Sequence, residues 1–345
     1  MPTTLRAPSR GRGTRFAGIT ARTVSRGAQL VGKQNLGLLA GLALLLIVIR
    51  TQTDRIFLIG NLFDIGVAIS ILGILAVAEM VVIVAGGLDI SIGSTASLTG
   101  VTVALLLKHG AGTTTAILLA IAVGLLAGAL NGAVVVFLRI NPIITTLASF
   151  SAFAGLSLVL SHGLDVPAKS RLFDIIAIDE LFGIPYPLLM LLVFALLTHL
   201  VLRYTVAGRH VYAMGSNADA ARNTGINLAS YRMGIYLFSG LAAAIGGIMT
   251  VARDSLAQAN TAGADQGLIA ITAALLGGAA LTGGRGAVPG ALLGVIILGV
   301  LDNGLILMQI QPFYSQVAVG VLLVVAVGLQ QSRILSRLGS ARRKP

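Results

Sequence analysis

Long apolar runs without charge, separated by short polar clusters, set the pattern of this chain. Between Lys108 and Arg139 lie 30 uncharged residues, between Arg139 and Asp165 there are 25, and between Glu180 and Arg203 there are 22. Arg232 and Arg253 enclose 20 more, and Asp302 and Arg333 enclose 30. About 20 residues of helix cross the ~30 Å hydrocarbon layer of a bilayer. The runs do not alternate polar with apolar positions, as the shorter strands of a membrane barrel do, so they predict helices. The pattern predicts ten spans, over 35–49, 62–85, 91–107, 114–138, 142–160, 187–202, 233–252, 267–282, 287–307 and 313–330. Asp64 and Glu79 fall inside the second span and Asp302 inside the ninth.

Composition strengthens this picture. Of 345 residues, 56% are hydrophobic and only 10% charged, and the mean hydropathy is +0.94. A water-soluble domain carries about 25% charged residues. The chain therefore cannot cover a water-facing surface, which excludes a soluble enzyme or nucleic-acid-binding protein, and its apolar content excludes a disordered chain. The fold class expected is an all-α integral membrane bundle.

The formal charge of +12 is informative by its placement. With the N-terminus in the cytoplasm, 18 of the 24 Lys and Arg fall inside and six outside, which follows the positive-inside rule and places both termini in the cytoplasm. The chain then divides into a basic tail (1–34), a transmembrane domain (35–330) whose longest cytoplasmic loop is 203–232, and a second basic tail (331–345). Such tails meet anionic lipid headgroups, or nothing specific, rather than nucleic acid. The first tail is rich in Arg, Ser and Thr and lacks acids, which also suits an organelle transit peptide, but the charge rule favours a plain cytoplasmic tail.

Catalytic constellations are missing from the sequence. Cysteine is absent, and the four histidines (His109, His162, His199 and His210) have no metal-ligand spacing. There is no phosphate loop, dinucleotide-binding glycine string, nucleophile elbow or zinc-protease motif. No catalytic residue, no metal and no enzymatic activity are expected of this chain.

Three Gly-rich segments interrupt the helices. The first, GGLDISIGS at 86–94, places Asp89 and Ser91 at or near membrane depth, either as caps of the third span or as groups on a substrate path. The second, GSNADAARNTGIN at 215–227, reads as a short helix over 218–224. Asn217 is its N-cap, Asp219 lies in its first turn and Gly225 takes the position after its C-cap. It is either a solvated connector or a docking helix whose small alanines let a partner approach. The third runs from Gly277 to Gly290, and its Arg285 is explained by positive-inside anchoring.

Together with GIPYP at 183–187 and GGRGAVPGALLGVIILGVLDNGL at 283–305, these segments resemble the permease subunits of ribose-type ABC importers, over about 60–335. The resemblance implies a multi-pass permease of the bacterial inner membrane, paired with a second permease subunit as a homodimer or related heterodimer. It implies a cytoplasmic ABC ATPase that holds the ATP and Mg, so that this chain carries no cofactor, and a periplasmic sugar-binding protein. It implies a monosaccharide cargo: a ribose-like pentose, hexose, deoxyhexose or polyol, moved by alternating access. It also implies that Gly215, Asn217, Asp219, Ala220, Ala221, Gly225 and Ile226 form the ATPase-coupling segment.

Two places depart from that family. Gln266-Gly267-Leu268-Ile269 stands where relatives carry acidic or polar residues, and Glu79 stands where an uncharged residue is expected. A charge at the centre of a span costs about 2.5–3.5 kcal/mol, so Glu79 is expected to be protonated, paired or beside a wet cavity. Further candidates for the path, beside Asp89 and Ser91, are Asn131, Asp302 and Asn303, which equally suit helix-to-helix hydrogen bonds. Asn131 lies in the small-residue ridge Gly124-x3-Gly128-x3-Gly132. The periplasmic loop 161–186, with two basic and four acidic residues, is either a solvated loop or the seat of the binding protein. Rival functions are the same architecture importing branched-chain amino acids or nucleosides, and an ion-coupled secondary transporter using Glu79 and Asp89.

Overall fold

A computed structural model describes residues 37–258, 262–311, 313–322 and 324. Both predicted basic tails and the end of the predicted tenth span lie outside the described residues.

Among the described residues, helices lie at the ten predicted positions, the tenth described only over its first part. They are α1 (Gly37–Gln52), α2 (Ile59–Val84), α3 (Ile92–Lys108), α4 (Thr113–Phe137) and α5 (Pro142–Ser161), then, after a short α6 (Arg171–Ile178), α7 (Tyr186–Tyr204). Two more short helices follow, α8 (Val206–Ser216) and α9 (Ala218–Asn223), and then α10 (Leu228–Asp254), α11 (Ala262–Leu276), α12 (Val288–Leu307) and α13 (Phe313–Leu322). Six of them (α2, α4, α5, α7, α10 and α12) are long and apolar enough to cross a membrane unaided. Helices α1, α3, α11 and α13 are shorter.

One predicted boundary is corrected. The eighth span was expected to reach 282, yet α11 stops at Leu276. Gly278 adopts φ +96, and the Gly278 and Ala279 amides turn back onto the Leu275 and Ala274 carbonyls. A left-handed glycine closes a helix in this way whatever the hydropathy of the residues beyond it.

Apart from Asn61, Asp64, Ser70 and Glu79, helix α2 is made of apolar and small residues, the composition of a helix buried nearly all round. Of its most apolar window 78% is buried, against 17% for α5 and 28% for α7. Around it pack α7, α10, α11 and α12, and α10 lies in turn along α4 and α3. The α4–α10 contact is nearly backbone to backbone. A Cβ at Gly124 would lie 2.5 Å from the Gly240 carbonyl oxygen, and one at Gly128 would collide with the Tyr236 carbonyl. The glycine ridge read in the sequence is thus the surface by which α4 meets α10, the close approach that small residues allow between membrane helices. The outer faces of α4, α5 and α7 expose Leu126, Leu147 and Leu196, as lipid-facing surfaces do.

The bundle has two ends. At one, the two-residue strands β1 (Val166–Pro167) and β2 (Leu256–Ala257) pair antiparallel, tying the loop after α5 to the loop after α10. Phe173 of α6 is buried under them. At the other end the three Gly-rich segments meet.

Candidate functional site

The meeting point is made of main chain. The Gly284 amide donates to the Val84 carbonyl at 2.8 Å, joining the turn after α11 to the last residue of α2. Gly215, in the last turn of α8, fits against both: a Cβ there would lie 2.7 Å from the Gly284 nitrogen and would collide with the Val84 carbonyl. Gly86 faces Gly215 from the first segment, its Cβ position 3.6 Å from the Gly215 Cα. The Tyr212 hydroxyl of α8 donates to the Gly286 carbonyl at 2.8 Å. Burial pushes this phenol above its ordinary range, with Arg203 pulling it back, so Tyr212 stays a donor at neutral pH.

Helix α9 follows from this seat. The Asn217 side chain accepts the Ala220 amide at 2.9 Å, and Gly225 takes φ +86. The Gly225 amide returns to Arg222 and the Ile226 amide to Ala221, a Schellman closure. The seven coupling candidates divide by face. Asn217, Asp219, Ala220 and Gly225 are exposed. Ala221 is buried in the chain's own core with Met214 and Leu228, Ile226 packs against the same cluster, and Gly215 is clamped as above.

Asp89, Ser91 and Asn131 come together in one buried network. Asp89 Oδ1 accepts the Ser91 amide at 3.0 Å and the Ser91 hydroxyl at 2.5 Å, while Oδ2 accepts the Ser239 hydroxyl at 2.6 Å. The Asn131 side-chain amide donates to the Ser91 oxygen at 2.8 Å, and its Oδ1 accepts from Ser149 at 2.5 Å. The Asp89 amide donates to Glu79 Oε1 at 3.1 Å. Thus α2, α3, α4, α5 and α10 all bond to the 85–91 turn or to its partners. None of the three candidates exceeds 3% exposure. Glu79 is fully buried and hydrogen-bonded, and its Oε2 has no partner among the described residues.

Asp302 and Asn303 stand apart from this network. Asn303 exchanges two hydrogen bonds with Asn61, at 3.1 and 2.9 Å, joining α12 to the start of α2, and Asp302 is exposed. Sequence reasoning missed Ser149, Ser239, Asn61 and Tyr212, because a serine, asparagine or tyrosine within an apolar run does not announce a partner many residues away. Beside the α9 seat opens a cleft of about 700 Å³, bordered by Gly86, Gly87, Arg139, Arg222, Arg232 and Tyr236.

A bundle of apolar helices whose polar groups are tied to one another inside is the architecture of a multi-pass membrane protein. Residues 61–327 match the family described as "Branched-chain amino acid transport system / permease component", and the chain belongs to that family. It is 35% identical to the ribose import permease RbsC of Escherichia coli K12 over 293 residues, covering 84% of this chain and 91% of that one. To the D-allose transport system permease AlsC of the same organism it is 30% identical over 298 residues, covering 86% and 90%. The probable ABC transporter permease YphD of E. coli K12 is 35% identical over 311 residues, covering 89% and 92%. No solved structure matches the chain.

Proposed function

We propose that the chain is the permease subunit of an ATP-driven, binding-protein-dependent importer of a monosaccharide, set in the bacterial inner membrane with both termini in the cytoplasm. The seat of α9 carries the mechanical part of this reading. A capped two-turn helix stands on a main-chain junction with the ends of α2 and α11, so a push on its exposed face reaches the bundle directly. Asp219 and Ala220 present that face to a cytoplasmic ABC ATPase, which would hold the ATP and Mg; Ala221 and Gly215 seat the helix. Two permease subunits enclose the path, and spans around their axis alternate between inward-open and outward-open states. Asp302 is the exposed candidate for the path, and Asp89, Ser91 and Asn131 shape its border by fixing the 85–91 turn. The end with the β1–β2 pair faces the periplasm and the sugar-binding protein.

The cargo class rests on the names of the ribose and allose permeases among the relatives. The family's description supports branched-chain amino acids as the second reading. One experiment separates these and the secondary-transporter reading. The tagged protein is purified from its own membranes in mild detergent, its partners are identified by mass spectrometry, and uptake is measured in proteoliposomes. A stoichiometric ATPase and ATP-dependent uptake of a sugar held by the co-purifying binding protein is the expected result. ATP-dependent uptake of an amino acid would replace the cargo. Uptake driven by an ion gradient without ATP would overturn the importer.

A further inference from the structure

We propose that the cleft between the α4–α5 turn and the start of α10 is a binding site for the phosphate headgroup of an anionic phospholipid. Arg139, Arg222 and Arg232 border it, and no carboxylate does. Arg139 and Arg232 have no hydrogen-bond or ion-pair partner among the described residues, and Arg222 is held only by Asp219 at 3.8 Å on α9. Arg232 is half-buried, where an unpaired guanidinium is costly unless an anion joins it. Arg139 is held at φ +56, a left-handed conformation that costs a non-glycine residue about 1–2 kcal/mol. Tyr236 forms part of the inner wall of the cleft. Its hydroxyl is enclosed beside Gly87, without a hydrogen-bond partner among the described residues, and does not open into the cleft. Three guanidinium forks, two of them unpartnered among the described residues, are the groups that hold a phosphate.

The surroundings select a lipid as the source of that phosphate. Outside the cleft, the residues around the α4–α5 turn expose Phe137, Leu138, Ile143 and Ile144, apolar side chains at the point where two membrane helices meet. An acyl chain can lie along this surface while its headgroup enters the cleft, which is large enough for a glycerophosphate. A soluble phosphoester would use the arginines and leave the apolar wall unused.

The test is native mass spectrometry of the detergent-purified permease, titrated with short-chain phosphatidylglycerol, the matched phosphatidylcholine and, in a separate arm, glycerol 3-phosphate. Phosphatidylglycerol is expected to bind about tenfold tighter than phosphatidylcholine, whose choline cation offsets the phosphate charge and is repelled by the arginines. The pair Arg139→Gln and Arg232→Gln should remove that preference. Arg203→Gln with Arg209→Gln, which removes equal charge at the same end from exposed positions outside the cleft, should leave it intact. Arg139→Gln alone alters an exposed side chain and keeps the test open if the double variant does not fold. Equal loss in the cleft and control variants, or no preference in the native protein, would overturn the site. Glycerol 3-phosphate binding as tightly as the lipid would overturn the lipid assignment. None of these measurements depends on transport or its cargo.

Discussion

Replacing Asp89 by alanine removes one acceptor from three donors: the Ser91 amide at 3.0 Å, the Ser91 hydroxyl at 2.5 Å and the Ser239 hydroxyl at 2.6 Å. Ser239 has a fallback, because a helical serine can donate to the carbonyl four residues before it. The Ser91 amide stands at the start of α3, where the first turns of a helix leave amides without intrahelical partners, and the carboxylate is its acceptor. A buried donor left unpaired costs about 1–3 kcal/mol, and the two hydroxyl bonds add roughly 1 kcal/mol each. Relief from burying a carboxylate works against this loss, so Asp89→Asn is the proper reference. Asparagine keeps the acceptor for both Ser91 bonds and offers Ser239 a donor in place of the second oxygen. Asp89→Ala should therefore be roughly 3 kcal/mol less stable than Asp89→Asn. Unfolding by SDS titration in mixed micelles, followed by helical circular dichroism, measures the difference. A gap below about 1 kcal/mol would refute the claim that this carboxylate holds the 85–91 turn. Uptake gives a separate answer: a stable Asp89→Asn protein that no longer transports would place the carboxylate on the cargo path itself.

Other changes have equally definite outcomes. Gly215→Val drives a side chain into the Val84 carbonyl and the Gly284 amide, and should cost about 1–3 kcal/mol or more, seen as loss of the monodisperse species on size exclusion; a Gly215→Val protein as stable as the native one would contradict the main-chain junction. Ala220→Glu changes an exposed position of α9 and should leave the protein folded while abolishing ATP-driven uptake; normal uptake would count against α9 as the coupling element. Ala221→Glu should instead lower the amount of folded protein, because Ala221 is 4% exposed in the chain's own core. Glu79→Gln keeps an acceptor for the Asp89 amide and should lie within about 1 kcal/mol of the native stability, whereas an ion-coupled carrier using Glu79 would lose its coupling. Asn303→Ala leaves Asn61 without its reciprocal partner and should cost about 1 kcal/mol by the same titration.

Local signals in the sequence were legible where the physics is local. The cap at Asn217 and the left-handed Gly225 are decided within a few residues, so the short helix could be read to within one residue of its end. Apolar runs located the ten helices for the same reason. The end of α11 was misplaced because hydropathy continues through Ala279, Ala280 and Leu281 while the backbone has already turned at Gly278. The Asp89 network was only half legible. Asp89, Ser91 and Asn131 stand out as polar groups in apolar surroundings, but Ser239 lies 150 residues from Asp89. Nothing in one sequence announces that pairing, and it is made by the packing of α10. The packing of α12 against the start of α2 pairs Asn303 with Asn61 and separates it from the group with which the sequence had placed it.

The main-chain junction at Gly215, Val84 and Gly284 also sets how stiff the molecule is along one line. Side chains between moving parts act as springs, since each can change rotamer and absorb displacement before passing it on. Here peptide units bear on peptide units, and a peptide plane has no rotamers to yield. A displacement of the α8 end at Gly215 would press directly on the end of α2 at Val84, five residues before Asp89. Enlarging any one of these glycines would do more than disturb packing: it would insert a compliant element into a linkage whose value lies in its rigidity.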